Sequence, residues 1–163
     1  VLQPLGGEPI GVTAEDVPMT ARGNIADLQV GDLRRVAILP SHNLAVGTVR
    51  SALPIHPSDL GREATKFGRT TGVRVGTCTA VEIDDLPVNY GAAGVKRFND
   101  AVEFSGSPAD FSAGGDSGSM ILWRDTGDVP AILFAGGVDS SGSDRTYGCP
   151  AARSLALLGI TLL

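Results

Sequence analysis

This chain is poor in the residues that most often announce a function. It has two histidines, two cysteines, two methionines and one tryptophan, and aromatics make up 5% of its 163 residues. Two cysteines, Cys78 and Cys149, do not build a disulfide scaffold and are not spaced as a zinc site. They form either one bridge or two buried thiols, and they leave redox compartment and cellular location undetermined. No apolar run approaches the roughly 18 residues that cross a bilayer, so no membrane span is expected. No basic cluster is longer than Arg34-Arg35 and the net charge is −5, which speaks against a nucleic-acid groove. No signal peptide or initiator Met is visible, and a chain opening at Val1 reads as a processed product or a fragment.

Small and turn-forming residues are plentiful. Twenty-two glycines and 10 prolines stand beside a hydrophobic fraction of 42% and a charged fraction of 19%, the balance of a turn-rich β-protein with a real core. Prolines and glycines break every periodicity over residues 1–31, which read as an extended arm with at most one short strand within 12–19. Residues 35–40 and, more weakly, 46–49 read as strands, and 54–61 as a connector. From Thr65 the pattern is strongly β. Val73, Val75, Thr77, Thr79, Val81 and Ile83 share one face at period two, and Phe98, Val102 and Phe104 are candidate inward residues of a strand over 95–104. Buried strands are expected over 120–123 and 129–138, a short one over 146–149, and a helix over 151–158 behind Pro150. Asp84-Asp85 reads as a solvated turn rather than a metal pair. Six or so strands from residue 65 onward describe a small closed or sandwich-like β-domain, so residues 1–59 and 60–163 are read as separate parts.

One stretch carries a sharper chemical meaning. Residues 111–120, Phe-Ser-Ala-Gly-Gly-Asp-Ser-Gly-Ser-Met, hold a serine on a glycine-rich loop at the mouth of an apolar strand. The glycines admit positive φ and keep side chains away from the Ser117 hydroxyl. The neighbouring amides of Gly115 and Ser117 form an arrangement that can stabilise the oxyanion of an acyl-transfer intermediate. The alternative is a hairpin turn built from ordinary turn formers.

The order of features resembles the second β-barrel of trypsin-like, chymotrypsin-fold serine peptidases. It is most similar to a bacterial branch with a Gly-Arg-Thr-Thr-Gly stretch (residues 68–72 here) and a Phe-Ser-x-x-Gly-Asp-Ser-Gly-Ser stretch (111–119 here). The resemblance covers residues 60–163 well and 1–59 poorly. It implies an all-β fold: a complete second barrel, a first barrel partial or missing, and a short C-terminal helix. It makes Ser117 the nucleophile, Gly115 and Ser117 the oxyanion hole, Phe111 the base of the substrate pocket, and Ala135, Gly136 and Gly137 its wall and the strand that pairs with substrate. Phe111 between glycine walls suggests cleavage after an apolar residue. A peptide or protein substrate is implied, with no metal or organic cofactor. In this family the chain order is His, Asp, Ser. Asp32 falls near the acid position, but neither His42 nor His56 stands in the expected setting. His42 in a rearranged triad is one option. A histidine on an upstream segment, with that fragment of the precursor as partner, is another, and a catalytically inactive binding or structural module is the third. In relatives activated by cleavage a new apolar N-terminus pairs with the acid at Asp116, but Leu2-Gln3-Pro4 after Val1 is unlike that activation sequence.

Overall fold

The apolar runs of the second half of the chain become strands that close on one another. The computed structural model describes residues 11–27, 29–33, 42–43 and 46–162. The strands among them are β1 (Gly11–Asp16), β2 (Gln29–Leu33), β3 (His42–Asn43), β4 (Gly47–Thr48), β5 (Glu63–Gly68), β6 (Gly72–Ile83), β7 (Leu86–Asn89), β8 (Val95–Phe98), β9 (Ala101–Gly106), β10 (Met120–Trp123), β11 (Ala131–Val138) and β12 (Asp144–Pro150), followed by helix α1 (Ala151–Leu157). Six of them form a closed barrel in the order β10-β11-β12-β9-β6-β5, with every pairing antiparallel. The all-β reading with a barrel and a short C-terminal helix therefore holds. No helix among the described residues is long and apolar enough to cross a membrane.

The barrel interior is filled by Val102, Phe104, Phe111, Ile121, Trp123 and Leu133 with the small Ala64, Cys78 and Ala131 between them. Each large side chain of this kind contributes about 1.5–3 kcal/mol on burial. A second cluster joins Phe98 and Phe134, ring centroids 4.6 Å apart, to Ala26 and Val17 of the N-terminal arm. The arm is held by its backbone too: Asn24 N donates to Arg97 O at 3.1 Å and Asn99 N to Asn24 O at 2.7 Å. Helix α1 is too short to persist alone. It is fixed by Ala151 and Leu155, which pack on Leu122, Val129 and Ile132.

Several expectations change in detail. On β6 the buried residues are Gly76 and Cys78, while Val73 and Val75 are 42% and 38% exposed. The apolar face at period two is thus the outer one over the first half of the strand. Register shifts on either side of Ala80 then let Val81 and Ile83 pack against the core. Residues 95–104 are not one strand: Asn99 and Asp100, the latter at φ 61°, turn the chain between β8 and β9. Phe98, Val102 and Phe104 are buried as expected. Cys78 and Cys149 are free buried thiols in different clusters, pushed up to about 11 and about 12 chiefly by burial. Asp84 and Asp85 serve a turn, accepting from Asp100 N at 3.1 Å and pairing with Arg97 at 2.7 Å respectively. The strand expected over 35–40 lies outside the described residues, as does Val1.

Candidate active site

The loop between β9 and β10 is shaped by one buried carboxylate. Asp116 is 1% exposed and both its oxygens are occupied. Lys66 Nζ donates to Oδ2 at 2.6 Å, Thr71 Oγ1 at 2.7 Å and Ala113 N at 3.1 Å. Thr70 N donates to Oδ1 at 2.7 Å and Thr71 N at 3.3 Å. Lys66 Nζ also donates to Thr71 Oγ1. Burial by itself raises the Asp116 carboxyl, but the donors from Lys66, Thr71, Thr70 and Ala113 outweigh it and hold the group well below the usual carboxylate range. The ion pair is fully buried on both sides, where a charge survives only if paired and hydrogen-bonded. The Gly-Arg-Thr-Thr-Gly stretch thus has a structural role, as the β5–β6 turn that wraps Asp116. Gly68 is required there, since a Cβ would stand 2.4 Å from Asp116 Cγ and 2.6 Å from Lys66 Nζ.

Fixing Asp116 inward sets its neighbours outward. Asp116 N donates to Ala113 O at 3.1 Å, Gly118 N to Leu133 O at 2.7 Å and Ser119 N to Asp116 O at 3.1 Å. The amides of Gly115 and Ser117, between these, donate to no acceptor among the described residues. Gly115 sits at φ 99°, and a Cβ there would fall 2.3 Å from Arg69 Nη2 and 2.7 Å from Thr70 Oγ1. The Ser117 side chain is exposed, and among the described residues its hydroxyl donates only a long 3.4 Å bond to Phe134 O.

Ser117 borders a cavity of about 460 Å³. Ser112, Ala113 and Gly114 form one side of it and β11 from Leu133 to Val138 the other, with Val88, Asn89 and Tyr90 at the rim and Asp110 and Asp144 contributing carboxylates. Ala135, Gly136 and Gly137 are therefore brought to Ser117. Gly136 is closely packed, because a Cβ would lie 3.0 Å from Arg145 O and 3.1 Å from Ser112 Oγ. β10 covers β11 only at Ala131 and Ile132, so among the described residues the stretch from Ala135 to Val138 pairs with β12 alone and leaves its other edge unpaired. The arm reaches the rim as well, where Tyr90 Oη donates to Asp27 Oδ2 at 2.6 Å.

Other expected residues lie elsewhere. Phe111 is not part of the cavity. It is 0% exposed and its ring stacks on Phe104 at 5.8 Å, in space left by Gly76, whose Cβ would be 2.7 Å from Phe111 Cδ2. The apolar specificity expected from that ring loses its basis. Asp32 lies in β2, its backbone opposite Val12. His42 lies in β3 opposite Thr48. Thr48 O approaches Gly127, in the turn at the far end of β10 from Ser117. The side chains of Asp32 and His42 are outside the described residues. His56 is exposed at the start of a single helical turn, Pro57–Asp59, and its backbone amide donates to Asp59 Oδ2 at 3.0 Å. Among the described side chains, then, no imidazole is hydrogen-bonded to Ser117.

Sequence reasoning missed Lys66, Ser112, Asp110 and Asp144. The signal for Lys66 lay in strand alternation. It shares a face with Ala64 and Gly68, two small residues that leave room for a long side chain, while Phe67 points outward at 48% exposure.

Solved serine proteases share this fold. A glutamic acid-specific serine protease, described as using a histidine triad in substrate binding, matches with a TM-score of 0.66 over 97% of this chain and 76% of its own, at 23% identity. Chymotrypsin of Cellulomonas bogoriensis matches at 0.57 over 88% and 72%, with 18% identity. Protease A of Thermobifida fusca matches at 0.55 over 94% and 80%, also with 18% identity. The chain thus has the trypsin-like serine protease fold. No protein-family model and no curated protein matches its sequence.

Proposed function

We propose that the chain is a serine endopeptidase, or the C-terminal fragment of one, that cleaves peptide bonds through an acyl-enzyme on Ser117. Residues 60–163 are the second barrel of such an enzyme and residues 1–59 an arm and remnant of the first. The observation that carries this reading is the pairing of an exposed Ser117 hydroxyl with two uncommitted amides, at the edge of a cavity whose far wall is an unpaired strand edge. An extended peptide adds to that edge by backbone hydrogen bonds, which brings its scissile carbonyl to Ser117. Ser117 Oγ attacks the carbonyl carbon while its proton passes to a base. The amides of Gly115 and Ser117 take the oxyanion. The base returns the proton to the leaving amine, and water then hydrolyses the ester by the same steps in reverse.

A serine hydroxyl needs an adjacent base to act at neutral pH. The reading assigns that role to a histidine of the precursor upstream of Val1, with Asp32 as the acid that orients it. The test is hydrolysis of a mixed peptide library by the full precursor. Turnover abolished by Ser117→Ala is expected, and turnover that survives Ser117→Ala overturns the reading. A second reading, a catalytically inactive domain kept for partner binding, is favoured by one observation, that the Ser117 hydroxyl has only the Phe134 carbonyl as partner among the described residues. Absence of a histidine-bearing strand upstream of Val1 selects it.

A further inference from the structure

The cavity beside Ser117 is lined by a carboxylate that no described side chain neutralises. Asp144 is 7% exposed and lines the cavity. Its Oδ2 is anchored, accepting from Gly106 N at 3.0 Å and Phe111 N at 2.8 Å. Its Oδ1 takes no partner among the described residues, and it is not a sealed-off atom either. A buried polar oxygen left open to a cavity is stable only if water or a ligand completes it. The nearest cation in sequence, Arg145, points to the other face of β12, held by Glu103 at 3.0 Å and Asp139 at 2.9 Å. Asp110, exposed and without a protein partner among the described residues, lines the same cavity, and no described cationic side chain does. Ser112 Oγ, 2.6 Å from Thr146 Oγ1, has lone pairs to offer when it is the donor of that pair.

We infer that this cavity takes a basic side chain, so that the substrate residue seated there is lysine or arginine, with Asp144 the residue that sets the preference. The inference rests on the peptidase reading for the word substrate, but not for the binding event. A cavity of about 460 Å³ accommodates a long side chain, within the usual range for ligand sites. A guanidinium or ammonium reaching Asp144 Oδ1 forms a charge-assisted hydrogen bond shielded from bulk water, the strong kind. An acidic side chain would instead meet two carboxylates.

The experiment needs no turnover. Binding of benzamidine, its neutral isostere benzamide and the anion benzoate is followed by NMR titration of the protein. Benzamidine is expected to bind at least about tenfold more tightly than benzamide, with benzoate weakest and shifts centred on Ser112, Gly136 and Asp144. Asp144→Asn, which keeps an acceptor for the Gly106 and Phe111 amides, is expected to erase that preference, and Asp110→Asn to reduce it less. Benzamide or benzoate binding as tightly as benzamidine to the unaltered protein overturns the inference, whether or not the variants fold. So does a preference unchanged in a folded Asp144→Asn protein. Loss of Ser117 chemistry with the benzamidine preference intact would sink the peptidase reading and leave this one standing.

Discussion

Asp116, next to Ser117 in sequence, and Asp144, which lines the same cavity as Ser117, are both buried aspartates, and the fold treats them in opposite ways. Asp116 has every lone pair directed at a donor and a lysine buried opposite it. Asp144, which lines the cavity, has one oxygen anchored by two amides, one oxygen without a partner, and no cation among the described residues. A carboxylate of the first kind is a structural pin, since its charge is spent inside the protein. One of the second kind is held ready for something that is not part of the chain. The difference separates the groups that shape the site from those that meet a ligand, and burial alone does not make that separation.

The contrast breaks most severely at Lys66. Lys66→Met leaves Asp116 buried without its cation and is expected to cost about 3–5 kcal/mol in urea unfolding, the range for removing one partner of a buried pair. The lysine's influence on Asp116 also fixes a pH dependence. The folded carboxyl binds its proton less tightly than the unfolded one, so its contribution to stability is complete above its ordinary value near pH 4 and is lost as pH falls below it. Unfolding measured from pH 7 to pH 3 should therefore show the gap between the unaltered protein and Lys66→Met narrowing in acid. A gap of constant width would contradict the pairing.

Gly115→Ala removes no partner of Asp116 and disturbs the outward face. With φ at 99° and Arg69 and Thr70 in the way of a Cβ, it is expected to cost of order 1–3 kcal/mol in thermal unfolding and to displace one of the two uncommitted amides. Asp144→Asn should have the smallest effect on stability, within about 1 kcal/mol, because an acceptor oxygen remains for both amides. If Asp144→Asn proved as damaging as Lys66→Met, the two aspartates would not differ as described.

Much of this was legible in the sequence for reasons that are local. The Ser117 loop is written in glycines and turn formers and runs into the apolar strand 120–123, so a closed or sandwich-like β-domain with a serine at the mouth of a strand could be read, and the family resemblance made it a barrel. What could not be read depends on partners distant in sequence. A lysine buried between Ala64 and Gly68 contradicts its own hydrophobicity and makes sense only with Asp116, 50 positions later. Gly76 gives no sign of the Phe111 ring it makes room for, so Phe111 was read as pocket rather than core. On the first half of β6 Val73 and Val75 are outside, because the inside belongs to a glycine and a cysteine. Asp144 lay in what reads as a turn, Asp-Ser-Ser-Gly-Ser-Asp, and only the register of β12 against β11, with Asp144 opposite Val138, carries it to the cavity.

The claim on which the rest depends is that Ser117 is an activated nucleophile on a pinned loop. Mass spectrometry of the full precursor after treatment with a fluorophosphonate measures it directly. The account predicts one covalent adduct, on Ser117, absent from Ser117→Ala and strongly slowed by Gly115→Ala. A folded precursor that takes up no label at Ser117 would contradict it.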